Sequence, residues 1–195
     1  LLEIMKDERI YKFLHLPLQS GSDSILNNMN RNYNVKDWGN IVEMVKKKFP
    51  NLTLSTDIIV GFPGETDEDF TKTKEILKEY RPDIVNITRF SPRQGTAAYD
   101  MKNQIHSRVK KKRSKELTNL RFELSKTNNE KYVGKKVKVQ VMEKGKNDTL
   151  KSRMDNYKIV VLKESNKELL GERLTLKIES AEDVYLVGRR IQSSK

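Results

Sequence analysis

The stretch Ile58-Ile59-Val60-Gly61-Phe62-Pro63-Gly64-Glu65-Thr66 is the strongest local signal in this 195-residue chain. An apolar run ends in two glycines that bracket an aromatic ring and a proline. An acidic helix start follows, with Asp67, Glu68 and Asp69 beside the positive end of the helix dipole. The stretch therefore reads as a strand, a turn at its carboxyl end and a capped helix. Upstream, Lys12 to Leu18 reads as another strand, and Ser22 can cap a short helix with Ile25, Leu26 and Met29 on one face. A longer helix runs from Val35 to Phe49, with Asn34 as cap, Pro50 as stop, and Trp38, Ile41, Val42, Val45 and Phe49 at helical spacing. Leu52 to Val60 is the next strand. The helix capped by Thr66 carries Phe70, Leu77 and Tyr80 and stops at Arg81-Pro82, and Ile84 to Phe90 is a third strand. This alternation predicts βα units around a parallel sheet over residues 1–103.

Beyond residue 103 the pattern changes twice. Ser107 to Lys131 reads as one charged helix with a thin apolar seam of Leu117, Leu120 and Leu124, so residues 104–130 are expected to form a basic linker helix. After Gly134 the period becomes two: Val137, Val139 and Val141 alternate with polar residues, and Tyr157–Leu162, Arg173–Glu179 and Val184–Ile191 follow as strands. Turn residues every 10–15 positions predict a small closed antiparallel β-barrel over residues 131–195. The predicted fold class is α/β plus all-β.

Charge divides the chain at the same place. The net charge is +12, yet residues 1–103 carry 15 bases and 15 acids. All the excess lies in the linker and the tail, which points to a polyanion as the partner of the carboxyl-terminal part. The absence of cysteine excludes a disulfide scaffold, a zinc ribbon, a thiol nucleophile and an iron–sulfur cluster held by this chain. No run approaches ~18 apolar residues and the first residues lack the basic flank of a signal peptide, so the expectation is a cytoplasmic protein that does not touch a membrane. Three parallel strands leave apolar edges, and Leu1 to Met5 reads as an uncapped helix tail. Both features suggest part of a larger protein, and its exposed edges would allow self-association.

Three polar, glycine-containing loops fall at the carboxyl ends of successive strands: Gln19-Ser20-Gly21-Ser22, Gly61-Phe62-Pro63-Gly64 and Ser91-Pro92-Arg93-Gln94-Gly95-Thr96. Each alone is equally an ordinary turn or helix cap. Together they would converge on one small-ligand site, which is where open α/β sheets bind ligands. A phosphate site is not expected at Gly61–Gly64, because acids crowd the helix start.

The segments His15-Leu-Pro-Leu-Gln-Ser-Gly-Ser22, Leu26-x-x-Met29-x-Arg31-x-Tyr33, Thr56-Asp-Ile-Ile-Val-Gly-Phe-Pro-Gly-Glu-Thr66 and Ser91-Pro-Arg-x-Gly-Thr96 resemble, in order and spacing, the radical S-adenosylmethionine tRNA methylthiotransferases. The likeness is strongest to the archaeal and eukaryotic branch. The tail, with Val133-Gly-Lys, Arg153 ahead of Asn156-Tyr157-Lys158, Gly171 and Tyr185-Leu-Val-Gly188, resembles the TRAM domain, a small RNA-binding barrel.

This resemblance implies the carboxyl-terminal part of a partial (β/α) radical barrel followed by TRAM. It implies an enzyme that adds a methylthio group to C2 of N6-threonylcarbamoyladenosine next to the tRNA anticodon. The family uses S-adenosylmethionine and two 4Fe-4S clusters held by cysteines, so this cysteine-free chain is expected to bind neither cluster and to be inactive alone. By the same resemblance, Gln19, Ser20 and Ser22 would meet the ribose or methionyl part of the cofactor, and Arg31 its carboxylate. Val60, Gly61 and Phe62 would flank its adenine, and Asp57 would bind nearby or anchor a neighbouring loop. For tRNA, Lys136, Lys138, Arg153, Lys158, Arg189 and Arg190 are the backbone candidates and Tyr157 a base-stacking one. The run Lys110–Arg113 would lie against tRNA or be disordered. The competing reading is a stand-alone RNA-binding adaptor whose α/β part is only scaffold.

Overall fold

The computed structural model describes residues 2–191. The α/β part runs β1 (Phe13–His15), α1 (Asp23–Asn28), α2 (Val35–Lys48), β2 (Thr53–Val60), α3 (Asp67–Tyr80) and β3 (Ile84–Arg89). A short α4 (Ala97–Asp100) and the long α5 (Ser107–Glu130) follow. The sheet order is β1-β2-β3, and β2 pairs in parallel with β3 from Ser55 opposite Ile84 to Val60 opposite Arg89. Past the end of β1, Gln19 makes one further parallel bridge to Ile58.

Local chemistry sets the helix ends. Asn34 with Asp37 and Thr66 with Asp69 each form a reciprocal capping box, so four otherwise orphaned backbone donors are satisfied at two helix starts. Arg81 ends α3 in the left-handed region at φ +46, and the following Pro82 cannot continue a helix. Leu54, Ile58 and Val60 of β2 and Val85 of β3 point to the helix-covered face, where Trp38, Val42, Val45, Phe70 and Leu77 are buried. Trp38 also donates its indole N–H to Leu16 O at 3.0 Å. Ile41, expected on the same face of α2, is instead 38% exposed, because the buried stripe of this helix is narrower than its apolar spacing suggested. The other face of the sheet carries His15, Asp57, Ile59, Asn86 and Thr88, all partly or fully exposed.

The carboxyl-terminal strands are β4 (Lys136–Lys144), β5 (Leu150–Met154), β6 (Ile159–Leu162), β7 (Arg173–Ala181) and β8 (Leu186–Arg190). They close into a barrel in the order β4-β5-β6-β8-β7. Directions cannot alternate all the way round a ring with an odd number of strands, so one pair must be parallel. That pair is β6 with β8, whereas the other four pairings are antiparallel. The interior is filled by Val137, Val139, Val141, Leu150, Val160, Leu162, Leu176, Ile178 and Leu186. Strand β5 had no sequence expectation, since its inward position Ser152 is polar. Its hydroxyl is satisfied there, donating to Val160 O at 2.8 Å. The strand expected from Tyr157 begins only at Ile159, because Tyr157 sits at φ +70 in a tight turn closed by Tyr157 N donating to Met154 O.

The chain forms two compact units. One comprises Leu14–Pro50 with Leu54–Leu124, and the other groups residues 2–13 and 51–53 with residues 125–191. Helix α5 contributes its residues to both.

Candidate functional site

In the α/β unit, the strand ends bring some expected residues together and turn others inward. Gln19 adopts φ +70 and is stitched to β2 on both sides, donating to Asp57 O at 2.8 Å and accepting from Ile59 N at 2.9 Å. Its side-chain oxygen faces Arg31, whose Nη2 lies 3.4 Å away. Arg31 is exposed, so its guanidinium can meet an anionic group. Asp57 sits in a row on the uncovered sheet face. His15 Nε2 lies 3.1 Å from one of its oxygens, and Asn86 donates to the other at 2.9 Å. Ser55 Oγ lies 3.0 Å from His15 Nδ1. Because a carboxylate can only accept, Nε2 carries the proton shared with Asp57. His15 and Asn86 were not singled out from sequence. Strand parity could mark both as outward positions, but that Asn86 lies directly opposite Asp57 is set by the register of the two strands.

Ser20, Ser22, Val60 and Phe62 correct the expectation of an open cradle: all four are buried. Ser20 Oγ accepts from Ser22 N, and Ser22 Oγ donates to Asp69 at 2.6 Å. Burial pushes the Asp69 carboxyl up, but donation from Ser22, Thr66 and Ser24 outweighs it, and the group ends below its ordinary value. Between the two serines, Gly21 packs so closely on α3 that an added Cβ would lie 2.5 Å from Thr73 Cα. The loop is therefore fixed to the helix rather than presented to a ligand. Phe62 packs edge-on against Phe90, with ring centroids 5.0 Å apart. Gly61, at φ +73, is covered by the stem of Lys110.

That cover comes from the basic run in α5, which is neither disordered nor wholly surface. Arg113 is buried and donates through Nη1 to both the backbone oxygen and the carboxylate of Glu65, and through Nη2 to Asp67 at 2.7 Å. Glu65 also accepts from Gly61 N at 2.7 Å. Burial pushes the Glu65 carboxyl above its ordinary value despite the Gly61 and Arg113 donors. Lys110 donates to Phe90 O at 3.0 Å and lies over the Phe90 ring. Two of the four bases thus clamp the Gly61–Glu65 turn.

Gln19 is itself buried with its side-chain oxygen on Arg31, so the exposed Arg31 guanidinium is the group here with the charge to meet a carboxylate. An iron–sulfur cluster does not fit: the sequence has no cysteine, and the described residues include no group of three His, Asp or Glu able to hold a metal.

In the barrel unit, ladder register builds a basic outer face. Lys136 stands opposite Lys177, which stands opposite Arg189. On the same face Lys138 is opposite Thr175, and Gln140 lies between Arg153 and Arg173. Like charges directly opposite one another destabilise a sheet, so this face is built at a cost that a bound polyanion would reverse. Arg189 is partly neutralised by Glu179 at 2.8 Å. Arg190 pairs with Leu176 on the alternate face and reaches Glu164 at 3.3 Å. Lys158 is not at the surface at all: it is buried, with Nζ donating to Asn129 at 2.9 Å. Tyr157 is partly exposed, but the Arg153 guanidinium lies 3.7 Å from its ring centroid and covers one face. Arg173, Lys177 and Gln140 were missed, because their place beside the expected bases depends on strand pairing and not on sequence proximity.

Residues 1–77 match the radical SAM superfamily and residues 130–191 match the TRAM domain. Over 188 residues the chain is 46% identical to a probable threonylcarbamoyladenosine tRNA methylthiotransferase of Pyrococcus abyssi, covering 96% of this chain and 43% of that protein. A protein of the same description from Methanocaldococcus jannaschii is 45% identical over 191 residues, 98% of this chain and 43% of the relative. A tRNA-2-methylthio-N(6)-dimethylallyladenosine synthase of Clostridium tetani is 40% identical over 190 residues, 96% of this chain and 42% of the relative. The chain thus spans less than half the length of these curated relatives. Its first 77 residues belong to the radical SAM superfamily and residues 130–191 are a TRAM domain, joined in a chain that is similar throughout to the radical SAM tRNA methylthiotransferases.

Proposed function

We propose that this chain is the tRNA-binding and cofactor-flanking part of a methylthiotransferase that acts on N6-threonylcarbamoyladenosine in tRNA. The observation that carries the RNA role is the like-charge row Lys136–Lys177–Arg189, continued by Lys138, Arg153 and Arg173 on the same barrel face. The reading of the modified nucleoside rests on the archaeal relatives, which are described as probable threonylcarbamoyladenosine tRNA methylthiotransferases. S-adenosylmethionine, when bound together with an iron–sulfur cluster, supplies a radical for such chemistry. In this chain Arg31 would hold its carboxylate, and the Asp57 row would line the sheet face beside it. The cluster ligands would come from residues outside these 195, so the chain alone is proposed to be inactive. A tRNA substrate implies a cytoplasmic protein, and no helix among the described residues is long and apolar enough to cross a membrane.

Two measurements test this. The chain should bind tRNA with an affinity that falls steeply as salt rises, since each neutralised phosphate releases counterions. Absence of binding at low salt would remove the RNA role. Nucleoside analysis of tRNA from a strain lacking the corresponding gene should show 2-methylthio-N6-threonylcarbamoyladenosine replaced by its unthiolated precursor. An unchanged profile would remove the enzymatic reading and favour an RNA-binding adaptor.

A further inference from the structure

A groove of about 550 Å3 opens in the barrel unit between residues 6–12 and the outer side of β4, β5 and β7. Six bases line it, Lys6, Arg9, Lys12, Lys138, Arg153 and Arg173, against two acids, Glu8 and Asp155. The six are not equivalent. Lys6 pairs with Glu3, Arg9 with Asp7, and Lys12 donates to the backbone oxygens of Asp7 and Ile10, so these three hold their own turn together. Lys138 and Arg173 have no acidic partner among the described residues and are exposed.

Arg153 is different again. Its guanidinium lies against the Tyr157 ring, and Nη1 donates to Tyr157 O at 2.9 Å. Tyr157 is braced behind by Tyr11 and Phe13, with ring centroids 5.0 and 5.2 Å away at steep interplanar angles. The guanidinium plane is therefore held at one orientation before any ligand arrives, and Arg153 lines the groove whereas Tyr157 does not. A planar, weakly hydrated cation fixed in this way is suited to stacking on a nucleobase. Gln140, across the ladder from both Arg153 and Arg173, places an amide at the same spot. The two acids, Glu8 and Asp155, oppose the dense phosphates of a duplex.

We propose that the groove takes a single unpaired RNA base, stacked on the outer face of the Arg153 guanidinium with Tyr157 as its backing, while Lys138 and Arg173 neutralise the flanking phosphates. The inference rests on the proposed RNA role of the barrel and refines it: Arg153 is the platform, and the tyrosine that looked like one is its support. Preorganisation matters here, because neither side chain has to be ordered on binding.

The test uses the full 195-residue chain and RNA hairpins carrying 2-aminopurine at successive loop positions, with a blunt RNA duplex as comparison. Emission from one loop position should change on binding, and Arg153→Lys, which keeps the charge but not the plane, should lower hairpin affinity by about tenfold. Duplex affinity should stay within about twofold, since backbone attraction is unaltered. The double variant Lys138→Glu/Arg173→Glu should weaken both RNAs and flatten the salt dependence. If the wild-type chain binds neither RNA, the RNA role itself fails. If it binds both but no loop probe responds, or Arg153→Lys matches wild type on the hairpin, stacking alone is overturned. Equal displacement of hairpin and duplex by an acidic polypeptide would likewise reduce the groove to a general polyanion surface. The probe signal comes from the unmutated chain, so the outcome does not depend on the variants folding.

Discussion

The serine loop of the α/β unit and the outer face of the barrel both look like binding surfaces in sequence, and they differ in where their polar groups point. Around Ser20 and Ser22 every hydroxyl is engaged inside the protein, on Ser22 N, Asp69 or Ser24. On the barrel, Lys136, Lys177 and Arg189 are set side by side with one acid among them, Glu179. The first arrangement is self-satisfied and stabilises the fold. The second sets like charges opposite one another, a cost that a bound anion would relieve. Polar residue type does not separate these cases, but the presence or absence of an internal partner does.

The contrast can be broken from either side. The largest expected effect is Arg113→Ala, which leaves Glu65 buried without its counter-charge. It should cost about 3–5 kcal/mol of stability, read as a lower urea midpoint. A loss below about 1 kcal/mol would mean that α5 does not clamp the Gly61–Glu65 turn. Next is Gly21→Ala, whose new Cβ meets the α3 backbone at Thr73. The expected loss is about 1–3 kcal/mol in the same assay, and a neutral result would mean that this loop is free to move toward a ligand.

Ser22→Ala is the gentler test on that side. The depressed Asp69 carboxyl contributes stability that is present above the ordinary carboxylate value and is lost as pH falls through the folded-state value. Removing one donor should lower stability at neutral pH by about 1 kcal/mol and flatten its decline toward acid pH. An unchanged acid limb would show that Ser22 does not hold Asp69. On the barrel the sign reverses. Lys136→Glu should raise stability slightly, by about 0.5 kcal/mol, while weakening tRNA binding. A variant that loses stability would contradict the crowding argument.

Much of the fold was legible because single residues announce it. Asn34 and Thr66 mark helix starts through short-range capping, and Pro50 and Pro82 mark ends. The closed barrel was readable from the alternation in Val137–Val141. Strand β5 was hidden by Ser152, a polar side chain inside the barrel whose partner, Val160 O, lies on another strand. The sites were less legible for the same reason. Gln19 and Arg31 are linked across 12 residues and do meet. Yet whether Ser22 faces a ligand or Asp69, or Lys158 faces RNA or Asn129, depends on contacts 47 and 29 residues apart. Side-chain chemistry is local information, but its direction is set by tertiary packing.

The single parallel pair in the barrel also bears on how the unit assembles. Consecutive strands β4–β5, β5–β6 and β7–β8 can each pair as local hairpins, but β6 and β8 meet across 26 residues (Val160 to Leu186) and β4 and β7 across 33 (Gln140 to Arg173) or more. Both are non-local closures and come late, and the β6–β8 seam joins three residue pairs in the parallel arrangement that is slightly weaker per residue. In hydrogen exchange, amides of Val160–Leu162 and Leu186–Gly188 should be the first of the barrel ladder to open, although the side chains of Val160, Leu162 and Leu186 are fully buried. A ring that must close through one odd seam has a built-in place to come apart.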